Sequence, residues 1–148
     1  MHKTVARLLE TKGSDVWSIG PDATVYSALE LMAEKNVGAL LILDGGDLLG
    51  IMSERDYARK VVLQGKVSRE MPVRDLMTAE VHTVTPDTTT TACMELMTDK
   101  HIRHLPVVEE GRVIGLISIG DIVSSVIQEQ RFMIEQLEKY ITGSTGVS

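Results

Sequence analysis

Gly50-Ile51-Met52-Ser53-Glu54-Arg55-Asp56 and Gly115-Leu116-Ile117-Ser118-Ile119-Gly120-Asp121 are one seven-residue pattern written twice, 65 positions apart. The same shift lays Val16-Trp17-Ser18-Ile19-Gly20-Pro21-Asp22-Ala23-Thr24 on Val81-His82-Thr83-Val84-Thr85-Pro86-Asp87-Thr88-Thr89. It also lays Glu30-Leu31-Met32 on Glu95-Leu96-Met97, Lys35 on Lys100 and Gly46 on Gly111, with no gap from 16 to 61. Upstream, Val5-x-x-Leu8-Leu9 matches Val73-x-x-Leu76-Met77 after a further shift of three. Chance does not sustain such agreement, so the chain is a tandem duplication.

Reading one unit therefore reads both. A short strand (Val16–Ile19; Val81–Val84) is stopped by Pro-Asp, because proline fixes φ and has no N–H to donate. Thr24 and Thr89 are placed to cap helices running to Lys35 and Lys100. Ala28, Leu29, Leu31 and Met32, like Cys93, Met94, Leu96 and Met97, give those helices an apolar face. A hairpin follows, Ala39–Leu43 with Leu48–Met52 and Leu105–Val108 with Val113–Ile117, joined by Gly-containing turns. A second helix starts at Ser53 and at Ser118. The expected fold is mixed α/β (α+β): two β-α-β-β-α repeats packed with pseudo-two-fold symmetry. The first repeat, with an N-terminal helix, spans 1–65, and the second 73–127. A helical extension covers 128–143, and the polar stretch from Gln64 to Pro72 reads as a linker. The last helix has no Pro or Gly beyond Gly120 until past Ile141, so it outruns its counterpart. Ile122, Ile127, Met133, Ile134, Leu137, Tyr140 and Ile141 carry its apolar pattern past the repeat.

The 148 residues are enough for a core without disulfides or metals. A net charge of −6 argues against a nucleic-acid binder, which needs a basic face. With 3% aromatics, a base-stacking platform is also excluded. The single cysteine, Cys93, rules out a disulfide within the chain. No apolar run has the length of a signal peptide or a membrane span, so a cytoplasmic protein with no membrane partner is expected.

The repeated Ser-x-x-Asp has two readings. It is close to a capping box, which needs no ligand. The same geometry also suits a phosphorylated sugar. A helix N-terminus attracts anions, an aspartate accepts bonds from both ribose hydroxyls, and the serine reaches sugar or phosphate. The glycine ahead of it lets another chain or a base come close to the strand.

A duplicated β-α-β-β-α unit carrying Gly-x-x-Ser-x-x-Asp resembles the CBS domain in its tandem arrangement, the Bateman module. The likeness runs from about Val5 to Ile127. Val37-Gly38-Ala39-Leu40 and Ile102-Arg103-His104-Leu105-Pro106-Val107 resemble the family's second strand. The long helix ending in Leu137-Glu138-Lys139-Tyr140-Ile141-Thr142-Gly143 is similar to free-standing bacterial CBS pairs. The resemblance implies two adenosyl-ligand clefts between the repeats. The first would combine Ser53 and Asp56 with Thr83, Ile102, Arg103 and His104. The second would combine Ser118 and Asp121 with Ser18, Val37, Gly38 and Ala39. It further implies a regulatory adenine nucleotide, AMP or NAD(H) with ATP as an alternative, and a homodimer.

Arg103 and His104 give the first cleft its own phosphate partners, and a protonated His104 would add to them. Gly38 and Ala39 stand there in the second, whose charge would have to come from Arg55, Lys35 or a second copy. Trp17 fits either core or cleft. His101-x-x-His104 has no third ligand nearby in sequence and reads as no metal site, and Cys93 reads as core. Arg55, Arg59, Lys60, Lys66, Arg69 and Arg74 read as solvated charge. No nucleophile has a paired base and no phosphate loop of the Walker type is present, so no catalysis is expected. The rival to a nucleotide sensor is an adaptor with vestigial clefts that regulates a client enzyme through its long last helix.

Overall fold

The computed structural model describes residues 3–66 and 69–144; Val67 and Ser68 of the expected linker lie outside the described residues. Along the chain run α1 (Val5–Lys12), β1 (Ser18–Ile19), α2 (Val25–Lys35), β2 (Ala39–Asp44), β3 (Asp47–Ser53) and α3 (Glu54–Tyr57). A π-helical turn at Ala58–Val62 and a 3-10 turn at Val73–Asp75 lead into α4 (Thr90–Lys100), β4 (His104–Glu109), β5 (Arg112–Ser118) and α5 (Ile119–Ser144). The first repeat has the β-α-β-β-α order expected, and the second has it without its first strand.

The caps repeat as well as the elements. Thr24 Oγ1 accepts the Ser27 N–H and Thr89 Oγ1 the Ala92 N–H, both at 3.1 Å. Each helix then ends on a left-handed residue, Asn36 at φ 54° and His101 at φ 55°. That conformation frees the backbone to turn into the next strand. β2 and β3 pair antiparallel with Leu40 opposite Met52, and β4 and β5 with Leu105 opposite Ile117.

The first strands differ. β1 runs parallel to β2, and Leu41 donates its N–H to the Trp17 carbonyl. The residue equivalent to Leu41 is Pro106, which has no N–H. In the second repeat the expected strand Val81–Val84 therefore shrinks to one bridge, Val84 with Val107. The helix expected after Ser53 also changes character, widening after one turn so that Leu63 donates to the Ala58 carbonyl five residues back.

Two apolar cores form, and each borrows from the other repeat. Val25, Met32, Leu40, Ile42 and Met52 pack with Val73 and Leu76, at the start of the second repeat. Cys93, Met97, Leu105, Ile117 and Ile122 pack with Val5 and Leu8, at the start of the first. Hydrogen bonds fix both crossings. Val5 donates to Thr88 and Thr90 to Lys3; in the symmetry-related place Val73 donates to Ala23 and Val25 to Met71, all at 2.8 Å.

Gly50 and Gly115 sit where these borrowed segments cross the hairpins. A Cβ on Gly50 would lie 2.6 Å from Met77 Sδ and 2.9 Å from the Thr78 carbonyl oxygen; one on Gly115 would lie 2.8 Å from Leu9 Cδ2. The motif's glycines are thus used for close approach of another segment of this chain.

α5 begins packed, with Ile122 buried, but every residue from Gln130 to Thr142 is exposed. Among the described residues no helix is long and apolar enough to cross a membrane.

Candidate functional site

Each Gly-x-x-Ser-x-x-Asp turns from a strand into a helix, so its serine and aspartate stand at a helix N-terminus. Both copies form the capping arrangement. Asp56 N–H donates to Ser53 Oγ at 3.1 Å and Ser53 N–H to Asp56 Oδ2 at 3.0 Å. Asp121 N–H donates to Ser118 Oγ at 3.1 Å and Ser118 N–H to Asp121 Oδ2 at 2.8 Å. The next helical amide is satisfied too: Glu54 donates to the Gly38 carbonyl and Ile119 to that of Arg103. The start of each second-strand segment is thereby tied to its repeat's second helix.

A cavity opens beside each motif. The first, about 630 Å³, is lined by Ser53, Asp56, Ile102, Arg103 and His104. Its size falls in the range of small-molecule sites, roughly 300–1,000 Å³. The second, about 370 Å³, is lined by Val37, Gly38, Ala39, Ser118 and Asp121. The clefts share a wall, since Gly38 and His104 line both. Ser18 and Thr83 are brought to neither lining; their neighbours Trp17 and His82 are. Side chains alternate along extended backbone, so a one-residue step changes the face. Trp17 thus stands at the second cleft, 36% exposed, with Lys35 Nζ 4.5 Å from its ring centre.

The charges differ sharply. Around the first cleft stand Arg55, Arg59, Lys60, Lys100 and Arg103 against Glu54, Asp56 and Glu80, a positive lining in an acidic protein. Arg55 reaches across to the His101 carbonyl at 3.5 Å, and Lys60 Nζ lies 3.4 Å from Asp56 Oδ1. The second cleft has one ammonium, Lys12, against Asp15 and Asp121. Lys12 donates to the Leu116 carbonyl and to Asp121 Oδ2, the latter at 2.5 Å. The charge within the lining thus comes from α1; Lys35 stands over Trp17, which lines this cleft, and Arg55 lines the first. Burial alone would raise the Asp121 carboxyl. The hydrogen bonds from Lys12 and Ser118 and the Lys12 charge outweigh it and hold the group below the ordinary carboxylate value.

His104 is lowered from the ordinary value of 6.5 by burial first, then by the charges of Lys12 and Arg103, against the opposing pull of Asp121 and Asp56. It faces the clefts with its protonation, and the help that would give a phosphate, moved to pH below the ordinary value of 6.5. His101 serves as the helix-ending residue of α4, and Cys93 is fully buried, its thiol pushed up to about 11 by burial.

Lys12, Lys100 and His82 were not read as site residues, and Lys60, read with Arg55 and Arg59 as solvated charge, lines the first cleft with them. Lys60 and Lys100 follow from helix geometry once the site is placed. Lys12 had one signal, the match of Leu9 to Met77, which puts α1 across the duplication; nothing in sequence told that it lands on the second cleft.

The CBS domain family model matches residues 8–63 and 73–128. The mitochondrial CBS domain-containing protein CBSX3 of Arabidopsis thaliana is 41% identical over 95% of this chain and 72% of its own length. A protein with CBS domains from Burkholderia ambifaria superposes with a TM-score of 0.83 at 50% identity, covering 86% of this chain and 96% of that one. The CBS-domain containing protein of Agrobacterium tumefaciens superposes with a TM-score of 0.80 at 40% identity, covering 83% and 98%.

Proposed function

The chain belongs to the CBS-domain family as a tandem pair, and from that premise we propose that it is a non-catalytic regulatory module for an adenine nucleotide. CBS pairs are in general regulatory ligand-binding modules; the ligand here is AMP or NAD(H), with ATP as the alternative. The observation that carries the reading is the first cleft, where Asp56 stands at a helix N-terminus, Ile102 offers an apolar wall and Arg103 a fixed cation around one cavity. The carboxylate takes the ribose, the wall the adenine and the cation the phosphate. Binding draws on both repeats, so occupancy favours one of their arrangements and is read by whatever senses that arrangement. The compartment proposed is the cytoplasm.

A second copy of the chain is the partner proposed for α5. Ile127, Phe132, Met133, Ile134, Leu137 and Tyr140 are between 43% and 73% exposed on a helix that leaves its own repeat behind. The adaptor reading would put a client there instead.

A thermal-shift screen with AMP, ADP, ATP, NAD, NADH and S-adenosylmethionine tests the ligand. A true ligand at a hundred times its Kd stabilises by about 2.7 kcal/mol. Asp56→Ala should then weaken binding by calorimetry by roughly 10- to 100-fold, the loss of one charged hydrogen-bond acceptor. No shift with any of the six, or unchanged affinity in Asp56→Ala, would sink the reading.

A further inference from the structure

We propose that Lys12 is the phosphate-reading residue of the second cleft, which makes that cleft selective for a nucleoside 5′-phosphate over the bare nucleoside. The proposal rests on the nucleotide reading above. Lys12 is the one cation in a lining that also holds Asp15 and Asp121. It enters from the last turn of α1, an element anchored at its base by Val5 and Leu8 in the second core and closed by the Gly13 N–H on the Leu9 carbonyl.

The duplication gives an internal comparison. Extending the match of Leu9 to Met77 by three residues pairs Lys12 with Glu80, which lines the first cleft. In the first cleft the capping aspartate meets its lysine, Lys60, on Oδ1, the oxygen that the capping bonds leave aside. In the second cleft Lys12 sits on Oδ2, the oxygen already held by the Ser118 N–H. Lys12 thus stands beside the capped oxygen and leaves Oδ1 of Asp121 open to a ribose.

A neutral nucleoside entering there can take Oδ1 but gives the ammonium no anion. A nucleotide brings one, and the lysine's four-carbon stem lets Nζ reach the phosphate while α1 stays in place. The charged hydrogen bond gained there is the source of the discrimination.

Trp17 is the chain's single tryptophan and lines this cleft, so its fluorescence reports this cleft and calorimetry reports both. AMP and adenosine are titrated into wild type, Lys12→Met and Lys12→Arg. Wild type should prefer AMP in the Trp17 signal by roughly tenfold or more, the value of one charged hydrogen bond. Lys12→Met should bind adenosine about as wild type does and lose most of the preference; Lys12→Arg should keep it. Equal wild-type affinity for AMP and adenosine overturns the proposal without any variant. So does a preference that survives in Lys12→Met, or AMP binding seen by calorimetry with a silent Trp17. If calorimetry detects no nucleotide in wild type, the nucleotide reading itself fails and this inference with it.

Discussion

His104 lies in the wall between the clefts, and its protonation links pH to stability with a definite sign. Its folded pKa is lowered below 6.5, first by burial and then by Lys12 and Arg103. The unfolded chain therefore takes up a proton before the folded one does, and stability falls as pH drops from about 6.5 toward the folded value. The Asp121 carboxyl is also lowered, and it acts in a separate pH window. Its contribution is whole above the unfolded carboxylate value of about 3.9 and fades only below it. Between about pH 7.5 and 5.5 the loss of Tm should come through His104, so His104→Gln should flatten that part of the profile and leave the acid limb near pH 4 unchanged. An equally steep fall in His104→Gln would show that another group carries it. The aspartates themselves do two things at once, since each closes a capping box and faces a cleft. Capping and ligand binding are not rival assignments at these positions. The cap holds the carboxylate in one rotamer, and a held carboxylate is a better hydrogen-bond acceptor for a ligand.

At the scale of elements, the crossing of each hairpin by a borrowed segment sets the cost of its glycine. Gly50 faces the Thr78 backbone, and that backbone is locked to β3 by Ile51 N–H to Thr78 carbonyl at 3.1 Å and the reverse bond at 2.9 Å. Gly115 faces only the tip of the Leu9 side chain. Gly50→Ala should destabilise by about 1–3 kcal/mol, as overpacking against a fixed neighbour does. Gly115→Ala should cost less, because Leu9 can turn, and Leu9→Ala should recover part of that cost. Chemical denaturation of the three variants decides it; equal losses at the two glycines would remove the distinction between fixed and mobile neighbours. These contacts also explain what was legible in the sequence. The Pro-Asp turns, the threonine caps, the hairpins and the serine-aspartate helix starts are local, and residues within a few positions fix them. The shortening of the second repeat's first strand depends on a missing N–H in a partner strand some twenty residues away, at Pro106. Ser53 and Asp56 in the cleft wall were legible because both copies of the motif carry that pair, whereas Arg103 and His104, which face Gly38 and Ala39 in the other copy, came from the resemblance alone. Trp17 and His82 in place of Ser18 and Thr83 were not legible, since a one-residue step along extended backbone leaves no trace in composition.

For the whole molecule, the two repeats are interlocked rather than merely adjacent, since α1 completes the second core and the segment from Met71 to Leu76 completes the first. A ligand drawing on both repeats therefore acts on one connected body, and the surface that transmits its effect has to lie outside these cores. α5 offers that surface. Its first turns are fixed by Ile122 and Ser125, which are buried, while Phe132, Met133, Ile134, Leu137 and Tyr140 project from the same rigid helix at 54% exposure or more. Several large apolar side chains on one solvent-facing helix are unusual for a lone chain. Each one covered by a second copy contributes roughly 1.5–3 kcal/mol before the cost of association is subtracted. Light scattering on the full chain should give twice the mass of 16.3 kDa, and a chain ending at Gln128 should give the single mass while keeping its nucleotide affinity. A full-length monomer would refute the dimer. A truncated chain that remains dimeric with unchanged affinity would place the contact on other helices and leave α5 open to a client.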